Sequence, residues 1–186
     1  MSDLAPAKAE RSCGSCSLCC KVIGIEALDK PVGHWCPHAK PGRGCAIYHQ
    51  RPGECRDFSC LWLDNDRLGE EWKPSRSKIV LYRMDEGRRL VAHVDANAPG
   101  VWRQEPYYQQ LKAWARLMAN GGPQVVVRVG DRIIAILPNR DVDLGVLAAG
   151  DLIFIGQVAT PAGLDYVARK LSAAEAEAAG AVAGPA

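Results

Sequence analysis

The sequence predicts an α+β fold in which a loop-rich cysteine module precedes a small antiparallel sheet with one or two packed helices. Three observations carry this expectation. All eight cysteines lie between Cys13 and Cys60. The same stretch is punctuated by Gly14, Gly24, Gly33, Pro37, Pro41, Gly42, Gly44, Pro52 and Gly53, and it has too few sustained apolar periods for an ordinary core. From Lys78 onward, alternating strands and one amphipathic helix replace the cysteines.

In chain order, residues 1–11 read as a flexible leader and residues 12–63 as the metal-binding module. Residues 64–77 are a polar connector, residues 78–171 a small α+β domain and residues 172–186 an Ala/Gly-rich tail whose alanines could extend a helix. Within the domain, Lys78 to Met84 and Arg89 to Val94 are expected to form a hairpin across Asp85-Glu86-Gly87. Pro106 to Ala119 reads as a helix: proline suits its start, and Tyr107, Leu111, Trp114, Leu117 and Met118 share one face. Gly121-Gly122 ends it. Gln124 to Val129 and Arg132 to Leu137 form a second hairpin around Gly130-Asp131, apolar enough on both faces to be a buried sheet. Asp151 to Val158 supplies another strand, and Leu164 to Leu171 a short closing helix.

Charge points to no particular partner. Against 23 basic residues stand 21 acidic ones, and the arginines and lysines between Lys40 and Arg89 are interleaved with acids, so nucleic-acid contact is disfavoured. An unidentified protein partner or substrate is the expectation. The first residues carry no secretory signal, and the apolar run from Leu144 to Val158 is broken by Gly145, Gly150, Asp151 and Gly156, so no membrane span is implied. A cytoplasmic chain keeps its thiols reduced, and there a dense cysteine cluster reads as a metal site rather than a disulfide scaffold.

The spacing supports this. Cys13, Cys16 and Cys19 are separated by two-residue gaps that let neighbouring thiolates turn toward one ion, and Cys20 follows directly. The remote half comprises Cys36, Cys45, Cys55 and Cys60. Side chains of adjacent residues diverge, so Cys19 and Cys20 are expected to serve different metals, or one of them stays free. Eight thiolates suffice for two four-cysteine zinc sites; alternatively four hold an iron–sulfur cluster and the rest bind zinc or remain reduced. Lys21, Arg43, Arg51 and Arg56 are placed to offset the thiolate charge.

As an ordered set, Cys13-x₂-Cys16-x₂-Cys19-Cys20, Cys36-Pro37, Cys45-Ala46-Ile47-Tyr48, Arg51-Pro52-Gly53-Glu54-Cys55-Arg56-Asp57-Phe58 and Cys60 resembles the YkgJ-type zinc- or iron-chelating proteins. The resemblance covers roughly the first third of the chain and implies metal binding through all eight cysteines. Flagellin lysine methylases carry a similar module associated with an iron–sulfur cluster. That similarity implies the alternative of a redox protein or protein-modifying enzyme, although no residue here carries methylase activity over.

Other residues have quieter readings. His34, His38 and His49 lie in the module, with His38 best placed to replace a cysteine, but with eight thiols present they read as outer or exposed groups. His93 reads as a packed strand residue. Tyr48, Arg51, Arg56 and Phe58 shape the loops; the sharper reading of the two arginines is an anion or substrate contact. Trp62 and Trp72 are expected at the junction of module and domain. Whichever of Cys19 and Cys20 lacks a metal could act as a nucleophile beside Lys21. No other catalytic set stands out.

Overall fold

The computed structural model describes residues 11–161 and 163–178. The cysteine-rich part is built from short pieces: α1 (Cys19–Val22), the two-residue strands β1 (Ala39–Lys40) and β2 (Gly44–Cys45), α2 (Gly53–Asp57) and α3 (Leu61–Asp64). After α4 (Pro74–Ser77) come β3 (Ile79–Met84), β4 (Arg89–Val94), α5 (Tyr107–Arg116), β5 (Gln124–Val129), β6 (Arg132–Ile136), β7 (Asp141–Val146), β8 (Leu152–Thr160), β9 (Gly163–Leu171) and α6 (Ala173–Ala178). The α+β class is as the sequence predicts.

Strands β3 to β7 form one five-stranded sheet in sequence order. Its neighbours are antiparallel except for β4 and β5, which run parallel, so the sheet is mixed. The segment between β4 and β5 contains α5, and a crossover of that length is what a parallel pair requires. Both expected hairpins are present, β3 with β4 and β5 with β6.

The runs in β5 and β6 are apolar on both faces because both faces are covered. Leu90, Ala92, Val94, Val125, Val127, Ile134 and Ile136 pack with Trp72, Trp102, Leu111 and Ala115. Leu18, Val22, Cys60 and Trp62 join this same cluster, so the cysteine loops share a core with the sheet, and Trp62 and Trp72 lie within it. On the other face Val91, Val126, Ile133, Ala135 and Leu137 pack with Ile155 of β8.

Three sequence expectations need correction. Leu164 to Leu171 is not a helix: β9 pairs residue for residue with β8, from Leu152 opposite Leu171 to Thr160 opposite Gly163. The apolar positions suit either period, and the ladder to a ready neighbour decides. Strand β7 was not anticipated, since Asp141, Asp143 and Gly145 are poor strand formers; it lies at the sheet edge and meets a register shift at Ile133 and Ile134. The α-helical turns of α5 stop at Arg116, and Leu117–Asn120 tightens into a 3₁₀ turn that leaves Leu117 half-exposed, so the buried face is Tyr107, Leu111 and Ala115.

At the ends, the expected leader lies outside the described residues except Arg11, whose guanidinium donates to the carbonyls of Trp62 (2.6 Å) and Asn65 (2.9 Å). The tail begins with α6: the Ser172 Oγ accepts from the Glu175 N–H at 3.3 Å, while the Glu175 carboxylate accepts from the Ser172 N–H at 2.8 Å. The rest of the tail, residues 179–186, is outside the described residues. Among the described residues no helix is long and apolar enough to cross a membrane.

Candidate metal centre

The eight cysteines reach one region of the fold from six short pieces of chain. A tight turn, closed by the Cys16 N–H donating to the Cys13 carbonyl at 2.7 Å, presents the first two thiols. Cys19 and Cys20 open α1. The Cys36 N–H donates to the Cys20 carbonyl at 2.9 Å, which ties the next segment to α1. Cys45 is brought back by β1 and β2, where Ala39 pairs with Cys45. Cys55 rides on α2, which the Glu54 carboxylate anchors by accepting the N–H groups of Glu26 (2.9 Å) and Ala27 (3.0 Å). Cys60 immediately precedes α3.

Glycine is required where two of these segments touch. Gly44 has φ +92°, and a Cβ there would stand 2.8 Å from the Gly14 carbonyl oxygen. The β2 backbone is thus pressed against the turn that carries Cys13 and Cys16.

All eight are free thiols, and they line two adjoining hollows. The larger, about 710 Å³ counting solvent at its mouth, is bordered by Cys13, Cys16, Cys19, Cys20, Cys36, Cys45 and Cys55. The smaller, about 470 Å³ on the same basis, is bordered by Cys13, Cys16, Cys19, Cys55 and Cys60. Arg51 and Phe58 border both. Every cysteine singled out from the sequence is therefore in place around this space. Among the described residues no three His, Cys, Asp or Glu side chains converge tightly enough to enclose a single ion.

The electrostatics are those of crowded thiols. Burial, then neighbouring sulfur, pushes the Cys13 and Cys55 thiols up. Burial also raises Cys60, although the N–H groups of Leu63 and Trp62 pull the other way. Cys19 and Cys20 share a hydrogen bond that raises Cys19 and lowers Cys20, and the charge of Lys30 assists the thiolate at Cys20.

Lys30 is the cation that sequence reading missed. It is buried, and its ammonium donates to the carbonyls of Lys21 (3.2 Å), Ile23 and Pro31 (3.1 Å). Desolvation lowers its pKa, while Cys36, Cys20, Cys19 and Cys55 oppose that. No motif marks it; only the loop that pairs Ile25 with Lys30 brings it under α1. Lys21 was expected to serve the thiolates, but its ammonium is engaged by Asp95 instead.

The remaining candidates resolve simply. Arg51 stacks on Tyr48, with 3.9 Å from guanidinium carbon to ring centroid, and donates to the Tyr48 (2.9 Å) and Cys55 (3.3 Å) carbonyls. It shapes the loop as expected, and Arg43 and Arg56 are exposed. His34, His38 and His49 border neither hollow. Phe58 packs edge-on against Tyr82 at 5.6 Å, joining the module to β3.

The donors lining the space are soft thiols, the type that thiophilic metals take. Reduced thiols surround the space, Lys30 and Arg51 supply positive charge, and Trp62, which lines the smaller hollow, has a buried indole N–H with no hydrogen-bond partner among the described residues. No protein-family model matches this chain, and no curated protein or solved structure is detectably similar to it.

Proposed function

We propose that this chain is a cytoplasmic metal-binding protein of the YkgJ type that chelates zinc or iron, the iron in a cluster where sulfide is supplied, through Cys13, Cys16, Cys19, Cys20, Cys36, Cys45, Cys55 and Cys60. The observation that carries this reading is the gathering of all eight reduced thiols around two connected hollows. Thiolate coordination would add to the core that these segments share with the sheet, at about 10–16 kcal/mol of apparent binding energy for structural zinc. The eight cysteines would hold the metal, and Lys30 and Arg51 would offset the charge of the thiolates. The centre sits on the core it shares with the sheet, and the α+β part presents a surface to a protein partner or substrate.

Metal content of Cys16→Ser and Cys55→Ser tests this. Both variants are expected to lose metal relative to the wild type, and unchanged content in both refutes the ligand set. The wild-type metal decides the class of function: zinc without colour assigns a structural role, and iron with acid-labile sulfide assigns redox chemistry.

A further inference from the structure

We infer that Arg11 is a positioning residue for the metal centre: its guanidinium latches the Cys13–Cys16 turn to the chain around Cys60 and so slows the escape of bound metal. This rests on the metal-binding reading and adds to it a residue that is not a ligand.

The turn that carries Cys13 and Cys16 is weakly tied by its own backbone. Among the described residues, residues 12–16 make one backbone hydrogen bond, the Cys16 N–H to Cys13 carbonyl contact that closes the turn. Ser12, Gly14 and Ser15 are exposed. Behind the turn, the chain is fixed where Leu18 and Val22 are buried in the core shared with the sheet. In front of it, the chain is fixed by Arg11.

Arg11 reaches the end of α3, where the last carbonyls of a helix have no partner within it. Its Nη1 donates to the carbonyls of Trp62 (2.6 Å) and Asn65 (2.9 Å), and its Nη2 to those of Asp66 (3.3 Å) and Leu68. The guanidinium carbon also lies 4.9 Å from the centre of the Trp62 ring, over which Lys73 Nζ stands at 4.8 Å. A planar fork with donors on both arms lets one side chain span the carbonyls of four residues, which the single ammonium of a lysine does not.

The latch joins two walls of the smaller hollow. Arg11 stands two residues before Cys13, and Trp62 stands two residues after Cys60. Two residues of chain reach at most about 7 Å. Cys13, Cys16, Cys60, Trp62 and Leu63 border that hollow together. By gripping the Trp62 carbonyl, Arg11 holds the first cysteines of the module against the last one, although the rest of the module lies between them in sequence. A metal leaves a thiolate site by releasing its sulfurs in turn, so a wall that is free to swing away loses metal faster.

The full chain loaded with zinc, mixed with excess chelator, reads the latch as a rate of zinc transfer. Arg11→Ala is expected to release zinc about tenfold faster than the wild type, because charge-assisted hydrogen bonds are lost at one wall. Arg11→Lys, which keeps the charge without the fork, is expected to release it faster as well. In both variants hydrogen exchange of the zinc-loaded protein should rise across residues 12–16 and 61–68 and stay unchanged in β5. Ile134→Val, a small cavity in the buried core of β6, controls for general stability: it should lower the urea midpoint and leave zinc release at the wild-type rate. Wild-type release from Arg11→Ala overturns the latch, and so does equal acceleration by Ile134→Val. Wild-type release from Arg11→Lys would assign the effect to charge alone and overturn it too. A wild-type chain that takes up no zinc and no iron overturns the metal-binding reading itself, a result distinct from an unchanged rate.

Discussion

The ammonium of Lys21 and the carboxylate of Asp95 meet at 2.5 Å with side chains only 8% and 11% exposed. Lys21 belongs to α1, the element that carries Cys19 and Cys20, whereas Asp95 follows β4. The pair therefore fastens the cysteine loops to the sheet by a buried charge contact. Removing one partner strands the other in a dry site, so Lys21→Met or Asp95→Asn is expected to cost about 3–5 kcal/mol in urea unfolding. The double variant should lose much less than the sum of the two. Additive losses would show that the two groups are not coupled.

The pH dependence of stability follows from His93 and Asp95. His93 is buried, and desolvation, aided by the charges of Arg128 and Lys30, lowers its pKa from 6.5 to about 3. The unfolded chain binds this proton first, so stability is full above the unfolded pKa and falls as pH drops below 6.5, by about 1.4 kcal/mol per unit for one group. Burial alone would raise Asp95, but Lys21 and the Asn97 N–H outweigh it and hold the carboxyl below its ordinary value. Its contribution is present above the unfolded carboxylate pKa and is lost as pH falls through the folded one. His93→Gln is expected to flatten the upper part of the acid limb in denaturant titrations. An imidazole NMR signal from His93 with a midpoint near 6 would contradict this.

Gly44 is the sharpest steric test of the site. In Gly44→Ala the new methyl group meets the Gly14 carbonyl oxygen at 2.8 Å in a left-handed backbone, at an expected cost of about 1–3 kcal/mol and with reduced metal occupancy. Gly42→Ala has a similar φ of +74° but open space around the Cβ, so it should retain metal. Equal occupancy in the two variants would show that contact between β2 and the Cys13–Cys16 turn is unimportant.

Metal removal should act locally. Hydrogen exchange of the protein treated with a strong chelator is expected to rise across residues 13–60, while β4, β5 and β6, packed on both faces, stay protected. Uniform loss of protection would mean that the sheet depends on the metal as well.

Much of the fold was legible because it follows from local pattern. Arg89–Val94 and Gln124–Val129 are bounded by turn residues, and the Tyr107, Leu111 spacing marks α5. The parallel pairing of β4 with β5 was not legible, since only the packing of α5 against the sheet brings them side by side. In β9, Leu164, Val167, Ala168 and Leu171 fit a helical stripe as well as a strand, and β8 settled the choice. That the cysteines would lie in one region was legible from their spacing, and they line two neighbouring hollows. Lys30 did not, because a lysine ten residues from Cys20 has no pattern to read and its role arises only when the loop folds under α1. Lys21, adjacent to Cys20, looked the better counter-ion until Asp95 was placed beside it.

Elemental analysis of the full chain purified under anaerobic conditions tests the central claim most directly. Zinc or iron bound to the protein, with thiols that resist a thiol reagent until a chelator is added, is the expected result. Metal-free protein whose eight cysteines all react at once would contradict it.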